Sequence, residues 1–179
     1  MRGTGWKNWK RFKNGETLVI EERTKDLIKN IKQMKTAKGI GQDIQAYLQL
    51  IMSVAFLFQK DQTPFRENLQ TAIVLIDSLE AENKHWVFGE LSDFLIDLIS
   101  RERLEIIKGF IGELKNISQD TAAIFRPLNY VVRYFEIIYS DEKSAKERES
   151  KAQRLLDSIT SEIKDPVKEM IGRVKENSA

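Results

Sequence analysis

Residues 44–58, which read IQAYLQLIMSVAFLF, constrain the fold more than any other stretch of the sequence. Only Gln45, Gln49 and Ser53 are polar, and their spacing of four residues places them on one narrow stripe of a helix. Such a helix would be about 22 Å long, which is shorter than the stretch of roughly 20 apolar residues that a membrane span needs. A helix that is apolar around most of its circumference packs inside a protein. The sequence therefore predicts a central helix covered by its neighbours on several sides.

Apolar residues recur at helical spacing through most of the remaining chain, and no stretch alternates long enough to indicate a strand. We predict about eight helices, over 16–35, 44–58, 64–80, 84–100, 101–116, 118–139, 142–163 and 166–176. The predicted N-caps are Asp43, Thr63, Asn83, Ser100 and Ser118. Pro127 predicts a break near residues 123–127, and Asp165–Pro166 predicts the start of the last helix.

Short connectors between consecutive helices favour antiparallel neighbours. The predicted fold class is therefore all-α, a compact antiparallel array of helical hairpins. Residues 72–79 and 107–114 align loosely at an offset of 35, close to the period of helical-hairpin repeats. The tetratricopeptide signature of Trp, Leu-Gly and Tyr does not accompany them, so we expect an array that leans towards a superhelix rather than a true repeat. Gly109 and Gly112 predict a close approach of their helix to a neighbour.

Positive charge is concentrated at the N-terminal end of the chain. Residues 1–40 contain eleven Lys or Arg against four Asp or Glu, a net charge of +7, whereas the whole chain carries +2. We divide the chain into a basic aromatic arm over 1–15 and a single helical domain over 16–179. The residues of the arm that suit an anionic ligand are Trp6, Lys7, Trp9, Lys10, Arg11 and Lys13. Three interpretations of the arm stay open: binding to the phosphates of a nucleic acid or an anionic membrane, packing of its tryptophans on the helices, and a partly disordered terminus.

The sequence offers few residues for catalysis. It has no cysteine, which excludes disulfides, thiolate metal ligands and cysteine nucleophiles, and His85 is its only histidine. Glu82 and His85 match half of a di-iron carboxylate motif, whose other half needs a second histidine. Glu90, Asp93 and Asp97 fall on a helix face away from the apolar residues, as expected for a solvated face. We therefore predict no enzymatic activity, no cofactor and no metal site.

One cluster suits recognition, because Arg and Tyr anchor many binding surfaces. On the predicted 118–139 helix, the residues of this cluster are Arg126, Asn129, Tyr130, Arg133 and Tyr134. The alternative interpretation is an amphipathic helix whose tyrosines lie at the edge of the core. We predict a non-enzymatic protein–protein interaction module or scaffold that binds another protein, with homo-oligomerisation left open. The second hypothesis is binding of nucleic acid or an anionic membrane by the basic N-terminal third. No secretory signal is visible, so we expect a cytoplasmic protein.

Overall fold

The computed structural model describes residues 16–35, 39–141 and 144–178, with side chains described from Thr24 onwards except at Lys35. This part of the chain forms nine helices and no strand, so the predicted all-α class is confirmed. The helices are α1 (Glu16–Lys35), α2 (Gln42–Phe58), α3 (Gln62–Asp77), α4 (Ala81–Ser100), α5 (Leu104–Ile117), α6 (Gln119–Ile124), α7 (Arg126–Ile138), α8 (Ala145–Asp157) and α9 (Ser161–Asn177).

By its contacts the chain divides into two compact units, Met1–Leu91 and Ser92–Ala179, and the division falls within α4. None of the described helices combines the length and the apolar character that crossing a bilayer would require. The proposed division into an arm and a single domain stays a prediction.

Helix α2 is buried around its whole circumference. The ten consecutive residues 46–55 are all buried, and Tyr47, Ile51 and Ala55 expose no surface at all. Within the first unit α2 packs against α1 and α3, and the ring centroid of Tyr47 lies 6.0 Å from that of Trp86 in α4. The central helix predicted from the sequence is therefore confirmed.

The polar residues of α2 enter the interior because they have hydrogen-bond partners there. The side-chain amide of Gln49 donates to Oδ1 of Asn68 in α3 at 2.7 Å, and the Ser53 hydroxyl donates to the Leu50 carbonyl at 2.6 Å. A buried polar group left without a partner costs about 1–3 kcal/mol. The predicted polar stripe is thus compatible with a central position of the helix.

Among the described helices, two end in a Schellman motif whose left-handed residue is not glycine. Lys60, at φ 59°, follows α2, and Glu102, at φ 60°, follows α4. The N–H of Lys60 donates to the Leu57 carbonyl and the N–H of Asp61 to the Phe56 carbonyl, both at 3.0 Å; the corresponding bonds around Glu102 measure 2.9 and 3.0 Å. These two bonds define the motif, in which glycine is the usual left-handed residue because it has no Cβ.

These turns explain why two of the helix starts predicted from the sequence are wrong. Ser118 is confirmed as an N-cap, since its Oγ accepts a bond from the N–H of Thr121 at 3.2 Å. The four N-cap predictions that are wrong are Asp43, Thr63, Asn83 and Ser100. Asp61 and Arg103 come directly after the two Schellman turns and therefore occupy the N-cap positions of α3 and α5. Helices α2 and α4 begin earlier than predicted, at Gln42 and Ala81.

Helix α7 is the hub of the second unit, where it packs against α5, α6, α8 and α9. Its inward face contains Leu128, Val131 and Phe135, all buried. The predicted break is confirmed, because α6 and α7 are separate helices and Pro127 lies in the first turn of α7. A proline at that position removes no helical hydrogen bond, since the first N–H groups of a helix have no partner within it.

The predicted start of a helix at Pro166 is wrong. Helix α9 begins five residues earlier, at Ser161, and continues through the proline. A proline inside a helix costs about 3 kcal/mol or more because its ring meets the preceding turn and one hydrogen bond is lost. We attribute the continuity of α9 to burial of Val167, Ile171 and Val174 along one face, which outweighs this local cost.

The predicted close approach at Gly109 and Gly112 is also wrong. Both residues lie on the exposed face of α5. A Cβ built on Gly112 would meet no atom within 4 Å apart from its own helix backbone and its chain neighbours. These glycines therefore lower the stability of α5 without allowing tighter packing.

Candidate functional site

Four of the five residues predicted to form a binding patch lie together on the outer face of α7. Arg126, Asn129 and Arg133 are exposed and Tyr130 is half-exposed. At about 100° per residue these four positions fall within roughly 100° of one another around the helix. The opposite face of α7 packs into the second unit, so the four side chains are presented by a helix that is held in place.

Tyr134, the fifth residue of the predicted patch, is buried. Its side chain is only 8% exposed, and its ring meets the ring of Phe135 edge-on at a centroid distance of 5.2 Å. The ammonium group of Lys175 in α9 lies 5.5 Å from the centroid of Tyr134, a distance at which a cation is attracted to the face of an aromatic ring. Tyr134 therefore contributes to packing between α7 and α9, and it is left out of the patch considered below.

The two arginines of this face have no acidic partner among the described residues. Neither Arg126 nor Arg133 takes part in an ion pair or a side-chain hydrogen bond there. Lys108 of α5 shows the contrast: its ammonium lies 2.8 Å from Glu136 and 3.0 Å from Glu105, and hydrogen bonds to these two carboxylates raise its pKa. The outer face of α7 thus presents positive charge that the described protein does not neutralise.

An exposed apolar side chain ends α6, two residues before Arg126. Ile124 lies four residues before the buried Leu128, so a continuous helix would place it in the core, but its side chain is 51% exposed, whereas Phe125 is 2% exposed. The break between α6 and α7 falls at Phe125 and changes the helical phase, so the phenylalanine takes the interior position. We call Ile124, Arg126, Asn129, Tyr130 and Arg133 the recognition patch. The sequence signal that could have identified Ile124 as exposed is the break at Pro127. The helical periodicity of α7 does not continue through this break into α6.

A second basic surface lies on α1. Lys25, Lys29 and Lys32 are exposed, and at about 100° per residue they fall within roughly 60° of one another. Together with Ile28 and Gln33 they line an open depression of about 520 Å³. No described residue forms an ion pair or hydrogen bond with any of the three ammonium groups. We call these three residues the lysine row; the spacing of four and three residues in the sequence is the signal that identifies it.

The other sequence-predicted positions do not add to these surfaces. The arm residues Trp6, Lys7, Trp9, Lys10, Arg11 and Lys13 lie outside the described residues. Within the described ranges, no group of three or more His, Asp or Glu side chains lies close enough to hold a metal ion. Asp93 and Asp97 form ion pairs instead, with Arg173 at 2.6 Å and with Arg101 at 3.3 Å.

No family model, no curated protein and no solved structure matches this chain. The recognition patch and the lysine row are therefore the features from which a function is proposed.

Proposed function

We propose that this chain is a non-enzymatic helical interaction module that binds another protein through the recognition patch. The observation that supports this proposal most strongly is the exposure of Arg126 and Arg133 without an acidic partner among the described residues. Tyr130 adds aromatic surface on the same face of α7. Ile124, at the end of α6, adds exposed apolar surface. Arg and Tyr are enriched among the residues that dominate binding energy at protein interfaces.

The support of α7 by four other helices favours binding by a preformed surface. Side chains on a fixed helix lose less freedom on binding than side chains on a mobile loop, so more of the contact energy is retained as affinity. Removing one well-buried interface arginine typically costs about 2 kcal/mol or more, which corresponds to a loss of affinity of about thirtyfold. Substitution of Arg126 and Arg133 should therefore weaken partner binding strongly. A cytoplasmic location is part of the same proposal, and cell fractionation would test it.

Site-specific photo-crosslinking tests the proposal even though the identity of the partner is open. A photoreactive amino acid replaces Asn129 in the patch or, as a control, Gln70 on the exposed face of α3. In cells of the source organism we expect discrete crosslinked products from position 129 and not from position 70. Absence of products at position 129, or equal products at both positions, would refute binding through this face.

A charge-matched pair of variants then tests the role of the arginines. The double substitution Arg126→Ala/Arg133→Ala should abolish the products formed at position 129. Lys151→Ala/Arg154→Ala removes the same charge from the exposed face of α8 and should leave these products unchanged. If both variants reduce crosslinking equally, net charge rather than the patch controls binding.

The second candidate function is binding of nucleic acid or an anionic membrane by the basic N-terminal third. The lysine row supports it, because three exposed ammonium groups there are not paired with described residues. Electrostatic binding of this kind weakens steeply as salt is added, since bound counterions are released on association. Affinity that does not change with salt concentration would contradict this candidate.

A further inference from the structure

We propose that the lysine row and its depression form a binding site for single-stranded nucleic acid. This inference rests on the second candidate function and identifies both its ligand and its contact residues. It extends that hypothesis beyond the arm, to side chains whose positions are described. The spacing of the lysines, the shape of the depression and the burial of the opposite face of α1 support this site.

The spacing of the row suits a phosphate backbone. Lys25 and Lys32 are seven residues apart, so their Cα atoms are separated by about 10 Å along the helix axis, with Lys29 between them. Proteins that bind single strands without sequence preference follow the backbone with a positively charged groove, and the row supplies such positive charge. A row of this length would contact two or three consecutive phosphates.

The shape of the surface favours a strand over a lipid bilayer. The three lysines border an open depression of about 520 Å³, and Ile28 beneath them is only 8% exposed. A flexible strand can follow such a concave surface and bring its phosphates to the lysines, whereas the extended surface of a bilayer cannot.

The burial of α1 provides a second argument against a membrane. A helix that lies in a bilayer interface inserts its apolar face among the lipids. The apolar residues Leu27 and Ile31 of α1 are 2% and 0% exposed, and α1 packs against α2 in the first unit. That face is already occupied, so insertion would require α1 to leave the core.

The expected contribution of the row follows from counterion release. For single strands the slope of log affinity against log salt is about −0.7 per neutralised phosphate. Three lysine–phosphate contacts therefore contribute a slope of about −2. Between roughly 50 and 200 mM salt, this contribution alone weakens binding about twentyfold.

Fluorescence anisotropy of the full chain with a labelled single-stranded oligonucleotide of mixed sequence provides the test. At the lower salt concentration, Lys25→Ala/Lys29→Ala/Lys32→Ala should weaken binding at least tenfold and make the salt slope shallower by about 2. The same three positions changed to arginine keep the charge and should retain binding. Lys146→Ala/Lys151→Ala/Lys168→Ala removes three exposed lysines elsewhere and should leave affinity within about twofold of the unsubstituted chain. Circular dichroism checks that each variant is folded.

The outcomes separate this inference from the candidate function on which it rests. The triple alanine variant of the lysine row could bind normally while removal of residues 1–15 abolishes binding. This result would refute the site at the lysine row and leave the N-terminal candidate function standing. If the unsubstituted chain binds neither the oligonucleotide nor vesicles containing phosphatidylserine, both are refuted. Binding to these vesicles alone would overturn the choice of nucleic acid. Equal losses in the row variant and its control would show that only net charge matters.

Discussion

Replacing Lys60 by glycine should stabilise the protein. Lys60 is exposed and holds a φ of 59° in the Schellman turn after α2. A residue with a Cβ costs roughly 1–2 kcal/mol in this left-handed conformation, and glycine avoids that cost. Glycine in turn makes the unfolded chain more flexible, which costs about 0.5–1 kcal/mol. The expected net gain is about 0.5–1 kcal/mol in the free energy of unfolding, or a two- to fivefold larger folding equilibrium constant.

Urea unfolding followed by far-ultraviolet circular dichroism measures this gain. Lys60→Ala is the matched control, because it removes the same side-chain charge and keeps the Cβ that causes the strain. It should be nearly neutral. The same pair at Glu102, Glu102→Gly and Glu102→Ala, repeats the experiment in the second unit. The two turns share no hydrogen-bond partner, so their gains should add within about 0.5 kcal/mol. If Lys60→Gly is no more stable than Lys60→Ala, the explanation by backbone strain is refuted.

Three further predictions concern the second unit. Gly112→Ala should raise the free energy of unfolding by about 1 kcal/mol in the same assay, because the site has room for a Cβ and alanine favours the helix; a loss of stability would mean that the space is occupied. Ser118→Ala should lower it by about 1 kcal/mol, because the Thr121 N–H loses its acceptor, whereas Ser118→Thr should retain most of the stability. Burial raises the pKa of Tyr139, although a hydrogen bond with Ser178 acts in the opposite direction. Absorbance titration of the folded protein should therefore contain a component from Tyr139 that ionises above the ordinary value of about 10, and the difference from the Tyr139→Phe titration should isolate it. Because the folded-state pKa is the higher one, the associated stability is present below pH ~10 and is lost as the pH rises further; a Tyr139→Phe protein with the same pH dependence would contradict the assignment.

The central helix was predictable because its burial is a property of the local sequence. In residues 44–58 the apolar side chains cover nearly the whole circumference, so no orientation of the helix could expose all of them to water at low cost. The break at Pro127 and the cap at Ser118 were predictable for the same reason, since each depends on the chemistry of one or two residues.

Helix ends were not predictable where the backbone adopts a rare conformation. Thr63 and Ser100 are residue types that cap helices well, but α2 and α4 end in left-handed turns at Lys60 and Glu102, and neither lysine nor glutamate signals such a turn. Pro166 marks the opposite case. Its local preference for a helix start is overridden by the burial of the apolar face of α9, which depends on contacts distant in sequence.

The recognition patch was predictable in part. Helical spacing puts Arg126, Tyr130 and Arg133 on one side of the helix, and in the structure Asn129 lies on the same outward face. The helical spacing alone could not show that the Tyr134 side chain turns inwards, because this depends on the packing of α9 against its ring. The spacing also could not show that Ile124 is exposed, because the break between α6 and α7 changes the helical phase by an amount that the sequence does not fix.

The burial of α2, on which the assignment of recognition to the outer helix faces depends, is measured most directly by thiol labelling. The chain has no cysteine, so Ser53→Cys and Val74→Cys each introduce a single thiol. Ser53 exposes no surface and Val74 is 70% exposed. Under native conditions Val74→Cys should react as fast as a free thiol. Ser53→Cys should react at least about a thousandfold more slowly, because its thiol becomes accessible only on unfolding. Rapid labelling of Ser53→Cys in the folded protein would contradict a buried α2.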